Sequence, residues 1–197
     1  MKLKRFLLFF VALAFCIPFG RGVSEASQED WLAVGDPLPD ITLQSPKNPA
    51  DKAHKEYLGL SGDGPFKIPD IKAEAVIVEI FSMYCPHCQK EAPVVNKLYE
   101  MIENDPTAKG RVKLIGIGAR NDIYEVDFFR KKYDVKFPLF DDEDYTKHEA
   151  CGEPGTPFFF VVKNNKDGSG DVVHTQIGGF DSPESFLQTV LEKSGLR

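Results

Sequence analysis

The sequence predicts a single α/β domain, a mixed central sheet flanked by helices, and three observations carry that prediction. From Ala75 onward, strand-like runs alternate with helical periodicity, which implies parallel pairing through crossovers. Near the C-terminus two β-rich runs flank a turn-rich stretch, which implies an antiparallel hairpin in the same sheet. A chain of 197 residues with 42% apolar content can bury one ordinary core, so neither a disulfide-stapled miniprotein nor a disordered acidic tail fits.

Residues 1–26 are set aside before the fold. Lys2, Lys4 and Arg5 precede the apolar run Phe6 to Phe19, broken only by Pro18, and Ser24 and Ala26 supply the small residues of a cleavage after Ala26. This is the pattern of a secretory signal, too short for a comfortable membrane span, with a retained N-terminal anchor as the alternative. Gly20 and Gly22 are rival cleavage positions, and bulky Phe15 argues against lipidation of Cys16. Export places the chain in the periplasm or another extracytoplasmic compartment, where disulfides persist. The full chain carries a net charge of -6, and loss of residues 1–26 leaves 20 basic against 29 acidic residues, or -9. That excludes nucleic acid as a partner, because a phosphate backbone is bound by an excess of Lys and Arg.

Residues 27–74, rich in Pro, Gly, Asp and Lys, read as an N-terminal extension of the domain. It holds a strand over Asp40–Gln44, turns at Ser45–Asn48 and Ser61–Gly64, and a second short strand near Phe66–Ile68. Residues 75–197 form the core domain. Val76, Ile77, Val78, Ile80 and Phe81 make a strand covered on both faces, with Glu79 the lone charge inside it. Ala92, Val95, Tyr99 and Ile102 then mark one face of a helix from about Pro86 to Asn104, with Pro93 expected to kink it.

A strand over Val112–Gly118 leads to a helix over Asp122–Tyr133, whose Asp122 and Glu125 match a capping pair. After Phe137–Phe140 and a short helix near Tyr145–Ala150, the runs Phe158–Lys163 and Asp171–Ile177 flank the turn-rich Asn164–Gly170. The last helix starts at Ser182 with Pro183 first, buries Phe186, Leu187, Val190 and Leu191, and stops before Gly195. The paired aromatics Phe128-Phe129 and the run Phe158–Phe160 are assigned to the core.

Cys85-Pro86-His87-Cys88 stands where the buried strand ends and the long helix begins. Two cysteines three apart in a first helical turn can close a small disulfide ring. Unpaired backbone N–H groups and the positive end of the helix dipole both favour Cys85 as thiolate, and His87 can add charge or a hydrogen bond. A zinc half-site and an inert disulfide are the alternatives. Zinc needs four ligands, and His148, Cys151 and His174 complete no familiar spacing, so no metal is assigned.

The segment Glu79-Ile80-Phe81-Ser82-Met83-Tyr84-Cys85-Pro86-His87-Cys88, with Gly155-Thr156-Pro157 before a later strand, resembles the thioredoxin superfamily over roughly Val34 to Lys193. The resemblance implies a thioredoxin-like sandwich and a cis-proline at Pro157 beside the sulfurs. The Cys-Pro-His-Cys core with Glu six residues before it is similar to the oxidising DsbA proteins, yet the 69 positions from Cys88 to Pro157 leave no room for their helical insertion. One inserted strand-helix unit, Val112–Tyr133, the N-terminal extension and Glu91-Ala92-Pro93 resemble instead the TlpA and ResA group of exported, often membrane-tethered thiol reductases. Tyr84 stands where that group usually has Trp.

On that resemblance, Glu79 is the candidate proton relay to Cys88. A carboxylate in an apolar strand should also have a raised pKa; a strand-edge position or a purely structural hydrogen bond is the competing reading. Glu91, three residues past Cys88 on the same helix face, competes for the role or is an ordinary solvated glutamate. Thr156 offers its N–H and C=O as a short strand edge to a protein substrate, and Pro157 shapes the loop; a plain turn is the alternative. Cys151 reads as a small buried hydrophobe, and His54, His148 and His174 as structural or surface residues.

The reading is an exported thiol-disulfide oxidoreductase that exchanges disulfides with protein substrates through Cys85 and Cys88. The reducing direction is favoured, with a DsbA-like oxidase as alternative. It requires no cofactor beyond the redox-active disulfide, and it implies protein thiol substrates and a membrane redox partner. A copper-binding factor of the Sco type would have three residues between its cysteines, where this chain has two, and a peroxiredoxin-type peroxidase would need a Thr-x-x-Cys setting, which is absent.

Overall fold

A computed structural model describes residues 30–46 and 52–197; the predicted signal or anchor over residues 1–26 lies outside them. The order is β1 (Thr42–Leu43), α1 (Lys52–Leu58), β2 (Phe66–Lys67), a 3-10 turn (Ile68–Asp70), β3 (Ala75–Phe81), α2 (Pro86–Asn104), β4 (Val112–Ala119), α3 (Ile123–Tyr133), β5 (Leu139–Asp142), α4 (Thr146–Ala150), β6 (Phe158–Asn164), β7 (Gly170–Ile177) and α5 (Pro183–Lys193).

Five strands form one mixed sheet in the order β5-β4-β3-β6-β7, with β3–β4 and β4–β5 parallel and the β6–β7 hairpin antiparallel to β3. This is a thioredoxin-like sandwich. Every residue of β3 is buried, and alternation divides them between two cores. Ala75, Ile77 and Phe81 join Cys88, Ala92, Val95, Phe186 and Val190 under α2 and α5. Val76, Val78 and Ile80 join Leu32, Ile41, Leu43 and Leu58, contributed by the N-terminal segment, on the other face. Glu79 falls in the first row, so the strand's one charge points into the layer that carries Cys88.

Caps set the helix starts. Asp122 accepts from the Glu125 N–H and Glu125 accepts from the Asp122 N–H, the reciprocal box read in the sequence. Ser182 caps α5 with Pro183 at its first position. Helix α2 runs unbroken through Pro93.

Several elements differ from expectation. The strand expected over Asp40–Gln44 reduces to Thr42–Leu43, paired antiparallel with Phe66–Lys67; Pro69 turns the chain into the 3-10 segment before β2 reaches Ile68. The stretch Phe137–Phe140 yields β5 two residues later, because Pro138 has no N–H for the ladder and only its carbonyl is used, accepting from Gly116. Helix α1 was not anticipated: it buries only Leu58 and has no apolar stripe. Phe128 is 56% exposed on the outer face of α3, whereas Phe129 is buried, so only the second of that pair belongs to the core.

Tertiary contact explains α1. The Tyr57 hydroxyl accepts the Leu114 N–H at 2.8 Å, on the half of β4 that β5 does not reach, since β5 pairs only with Gly116–Ala119. The Lys113 ammonium lies 3.9 Å from the centroid of the same ring.

Candidate active site

The motif's placement follows from the strand-to-helix junction. Cys85 is the N-cap of α2 in extended backbone, Pro86 occupies the first helical position, and Cys88 lies one turn in. Cys85 is partly exposed, whereas Cys88 is fully buried against the sheet; both are free thiols. His87, between them, is exposed.

The second signature meets the first here. The Thr156–Pro157 peptide is cis, as the resemblance implied, and the Cys85 Sγ donates to the Thr156 carbonyl at 3.2 Å. Partial burial pushes the Cys85 thiol up, but the Thr156 side chain, the Cys88 N–H and thiol, and the His87 N–H outweigh it and leave the thiol below its ordinary value. Burial drives Cys88 strongly the other way, helped by the nearby Glu79 carboxylate. One cysteine is thus prepared as thiolate and its neighbour held as thiol.

Glu79 lies in the middle of the sheet, opposite Gly116 on one side and Phe159 on the other, so the edge-strand reading is excluded. Burial, with a smaller contribution from the Glu91 charge, raises its pKa to about 8. Its Oε1 has no hydrogen-bond partner, which speaks against a structural hydrogen bond at that oxygen. Glu91, one turn beyond Cys88 on α2, is half-buried rather than solvated. Its Oε1 accepts from the Phe180 N–H at 3.3 Å, and a Cβ on Gly179 would drive into its carboxylate, so the Gly178–Phe180 turn is shaped to admit it. Glu79 thus acts on Cys88 from β3, and the Glu91 carboxylate, from α2, sits against the Gly178–Phe180 turn and acts on Glu79.

The turn that presents Cys85 is tied down at both ends of one residue. Met83 N–H donates to Asn121 Oδ1 at 2.8 Å, and Gln89 Nε2 donates to the Met83 carbonyl at 2.8 Å. Asn121 fits there because Gly118 has no Cβ, which would sit 3.1 Å from its side chain. Tyr84, 63% exposed, donates its hydroxyl to Glu125 of α3. Beside the thiol, a groove of about 420 Å³ runs between His87 and Glu91 on one side and Thr156, Pro157 and Ile177 on the other.

The structure thus brings together Cys85, Cys88, Glu79, Glu91, Pro86, His87, Thr156 and Pro157. It leaves Cys151 outside: buried beyond the C-terminal end of α4, its thiol is pushed up to about 12. Sequence reasoning missed Asn121, Gln89 and the Gly178–Phe180 turn; the Gly178-Gly179 pair was the one local signal. No group of three or more potential metal ligands occurs among the described residues.

Comparison with known proteins fits this geometry. Residues 34–167 match the AhpC/TSA family. The thiol-disulfide oxidoreductase ResA of Bacillus thuringiensis subsp. konkukian is 30% identical over 127 residues, 64% of this chain and 67% of its own length. Among solved structures, a thioredoxin-family thiol:disulfide interchange protein from Chlorobium tepidum superposes with a TM-score of 0.55 at 22% identity, covering 83% of this chain and 99% of that one. A secreted Mycobacterium tuberculosis disulfide oxidoreductase gives 0.52 at 20%, covering 78% and 96%.

Proposed function

This chain belongs to the AhpC/TSA family and is a thiol-disulfide oxidoreductase, and from that premise we propose that Cys85 and Cys88 are its exchanging pair and protein disulfides its substrates. The observation that carries the assignment is the 3.2 Å contact between Cys85 Sγ and the carbonyl of the cis Thr156–Pro157 turn, with a second thiol buried one helical turn behind.

In the reducing direction the Cys85 thiolate attacks one sulfur of a substrate disulfide, the other leaves as thiolate, and a mixed disulfide forms. Cys88 gives its proton to the Glu79 carboxylate, attacks Cys85 Sγ and expels the substrate's second sulfur. Two electrons pass to the substrate, and the enzyme is left as the Cys85–Cys88 disulfide. Glu91 adjusts the Glu79 charge through their mutual repulsion. The Thr156 backbone receives the substrate strand, and Pro157, without an N–H, shapes the turn.

The strongly raised Cys88 thiol supports the reducing direction, since a reluctant thiolate is a strong nucleophile that favours the disulfide once formed. The lowered Cys85 thiol favours the reverse reading, in which Cys85 leaves readily from a mixed disulfide and the enzyme oxidises dithiols. Titration of the pair in glutathione buffers decides: a potential near about -270 mV supports the reductase, and one well above about -180 mV overturns it. Insulin reduction with dithiothreitol tests the exchange itself, and retention of activity in Cys85→Ala overturns the assignment. We further propose that residues 1–26 export the protein and that a membrane protein resets its redox state. No described helix is long and apolar enough to cross a membrane. N-terminal sequencing of the mature protein tests cleavage after Ala26.

A further inference from the structure

The two turns that meet at Cys85 are joined a second time, behind the active site, through residues far apart in sequence. On the cysteine side, Met83 N–H donates to Asn121 Oδ1 at 2.8 Å. The Asn121 carbonyl accepts the Asp142 N–H at 3.1 Å. The Asp142 carboxylate, fully buried at the end of β5, accepts the His148 N–H at 2.9 Å and the Lys147 N–H at 2.9 Å, with Lys147 Nζ at 3.3 Å. His148, 5% exposed, closes the path: its Nε2 lies 2.7 Å from the Pro154 carbonyl, two residues before Thr156. A carbonyl can only accept, so Nε2 carries the proton, and Nδ1 is left buried without a partner. With the Cys85–Thr156 contact, these bonds form a closed circuit through the turns after β3 and β4, the end of β5, α4 and the loop before β6.

The backbone around the circuit is constrained. Arg120, Tyr145 and Glu153, three of the four described non-glycine residues with left-handed φ, lie in the chain beside its members, at 55°, 65° and 53°. Arg120 N–H also donates to the Asp142 carbonyl, and its guanidinium lies 4.0 Å from the centroid of the Tyr145 ring. Such conformations persist where surrounding bonds over-determine them.

We propose that Asn121, Asp142 and His148 are positioning residues that fix the separation between the Cys85 turn and the Thr156–Pro157 turn. The inference rests on Cys85 being the attacking thiol. None of the three residues touches the sulfur: Asn121 holds the Met83 N–H of one turn, His148 holds the Pro154 carbonyl ahead of the other, and Asp142 joins the two.

The test replaces His148 with Leu, which removes the Nε2–H at similar volume, and with Gln, whose amide nitrogen can reach the same carbonyl. For His148→Leu the pH midpoint of Cys85 alkylation by iodoacetamide should rise by about half a unit, as the Thr156 side chain withdraws its support. The rate toward a protein disulfide should fall about tenfold. His148→Gln should bring both back to within about twofold of wild type. Wild-type midpoint and rate in His148→Leu, or equal impairment in Leu and Gln, overturns the proposal. Should His148→Leu fail to fold, Asp142→Ala breaks the circuit at the next bond by removing both oxygens that accept the Lys147 and His148 N–H groups, and an unmoved midpoint there overturns it equally. A failure of this kind leaves exchange through Cys85 intact, whereas retained exchange in Cys85→Ala would remove the underlying reading instead.

Discussion

Cys85 and Cys151 each stand at the end of a helix, and they stand at opposite ends. Cys85 is the N-cap of α2, partly exposed, where His87 and Cys88 N–H groups point at its sulfur and hold the thiol below its ordinary value. Cys151 is the C-cap of α4, fully enclosed, and burial with the Asp142 charge pushes it up to about 12. The same side chain is thus reactive or inert according to which helix terminus it meets and whether water reaches it.

The largest expected effect separates the two outright. Cys85→Ala should lower protein-disulfide reduction by about 10³-fold or more, whereas Cys151→Ala should leave the rate within about twofold. A comparable loss in Cys151→Ala, measured in the insulin assay, would erase the distinction. Next comes intrinsic reactivity: in the reduced native protein at neutral pH, iodoacetamide should label Cys85 at least about 100-fold faster than Cys151, read by peptide mass spectrometry over time. Equal labelling rates would mean that the helix end decides nothing.

Glu79→Gln sharpens the contrast from within the site. Resolution of a trapped mixed disulfide should slow about tenfold at pH 8, and the wild-type rise in rate through about pH 8 should be lost, followed by stopped-flow with a chromogenic disulfide. Stability should move in the opposite sense. The folded pKa of about 8 lies above the ordinary carboxylate value, so between them the unfolded chain releases a proton that the folded one keeps. Wild-type stability present at low pH is therefore lost as pH rises through about 8. Urea melts at pH 5 and 8.5 should show wild type losing roughly 3–4 kcal/mol more than the variant. A loss equal in both proteins would mean that Glu79 is not kept protonated by burial. The smallest effect belongs to Cys151→Ala, which should cost about 1–2 kcal/mol as a filled core position, with no change in pH dependence.

The parts legible in the sequence are those whose signal is local. β3 was readable from five apolar residues around one acid, α2 from its spacing after Cys88, α3 from Asp122 and Glu125, and the redox pair from Cys85, Cys88 and Thr156-Pro157. Phe128 was misplaced because an aromatic pair does not reveal which of two adjacent side chains a helix turns outward. Helix α1 was invisible because its stability comes from Tyr57 meeting β4, 57 residues away. The circuit through Asn121, Asp142 and His148 left no trace for the same reason: each member looks ordinary in its own segment, and only the sheet brings them together.

The hydroxyl of Tyr57 has a consequence for association between molecules. Where β5 falls short, β4 would offer a bare run of peptide groups, the kind of margin onto which a strand from another chain can zip. One phenol, with the Lys113 ammonium above its ring, occupies that margin. Replacing Tyr57 with Ala would therefore leave the thiols in place while opening a template for aggregation.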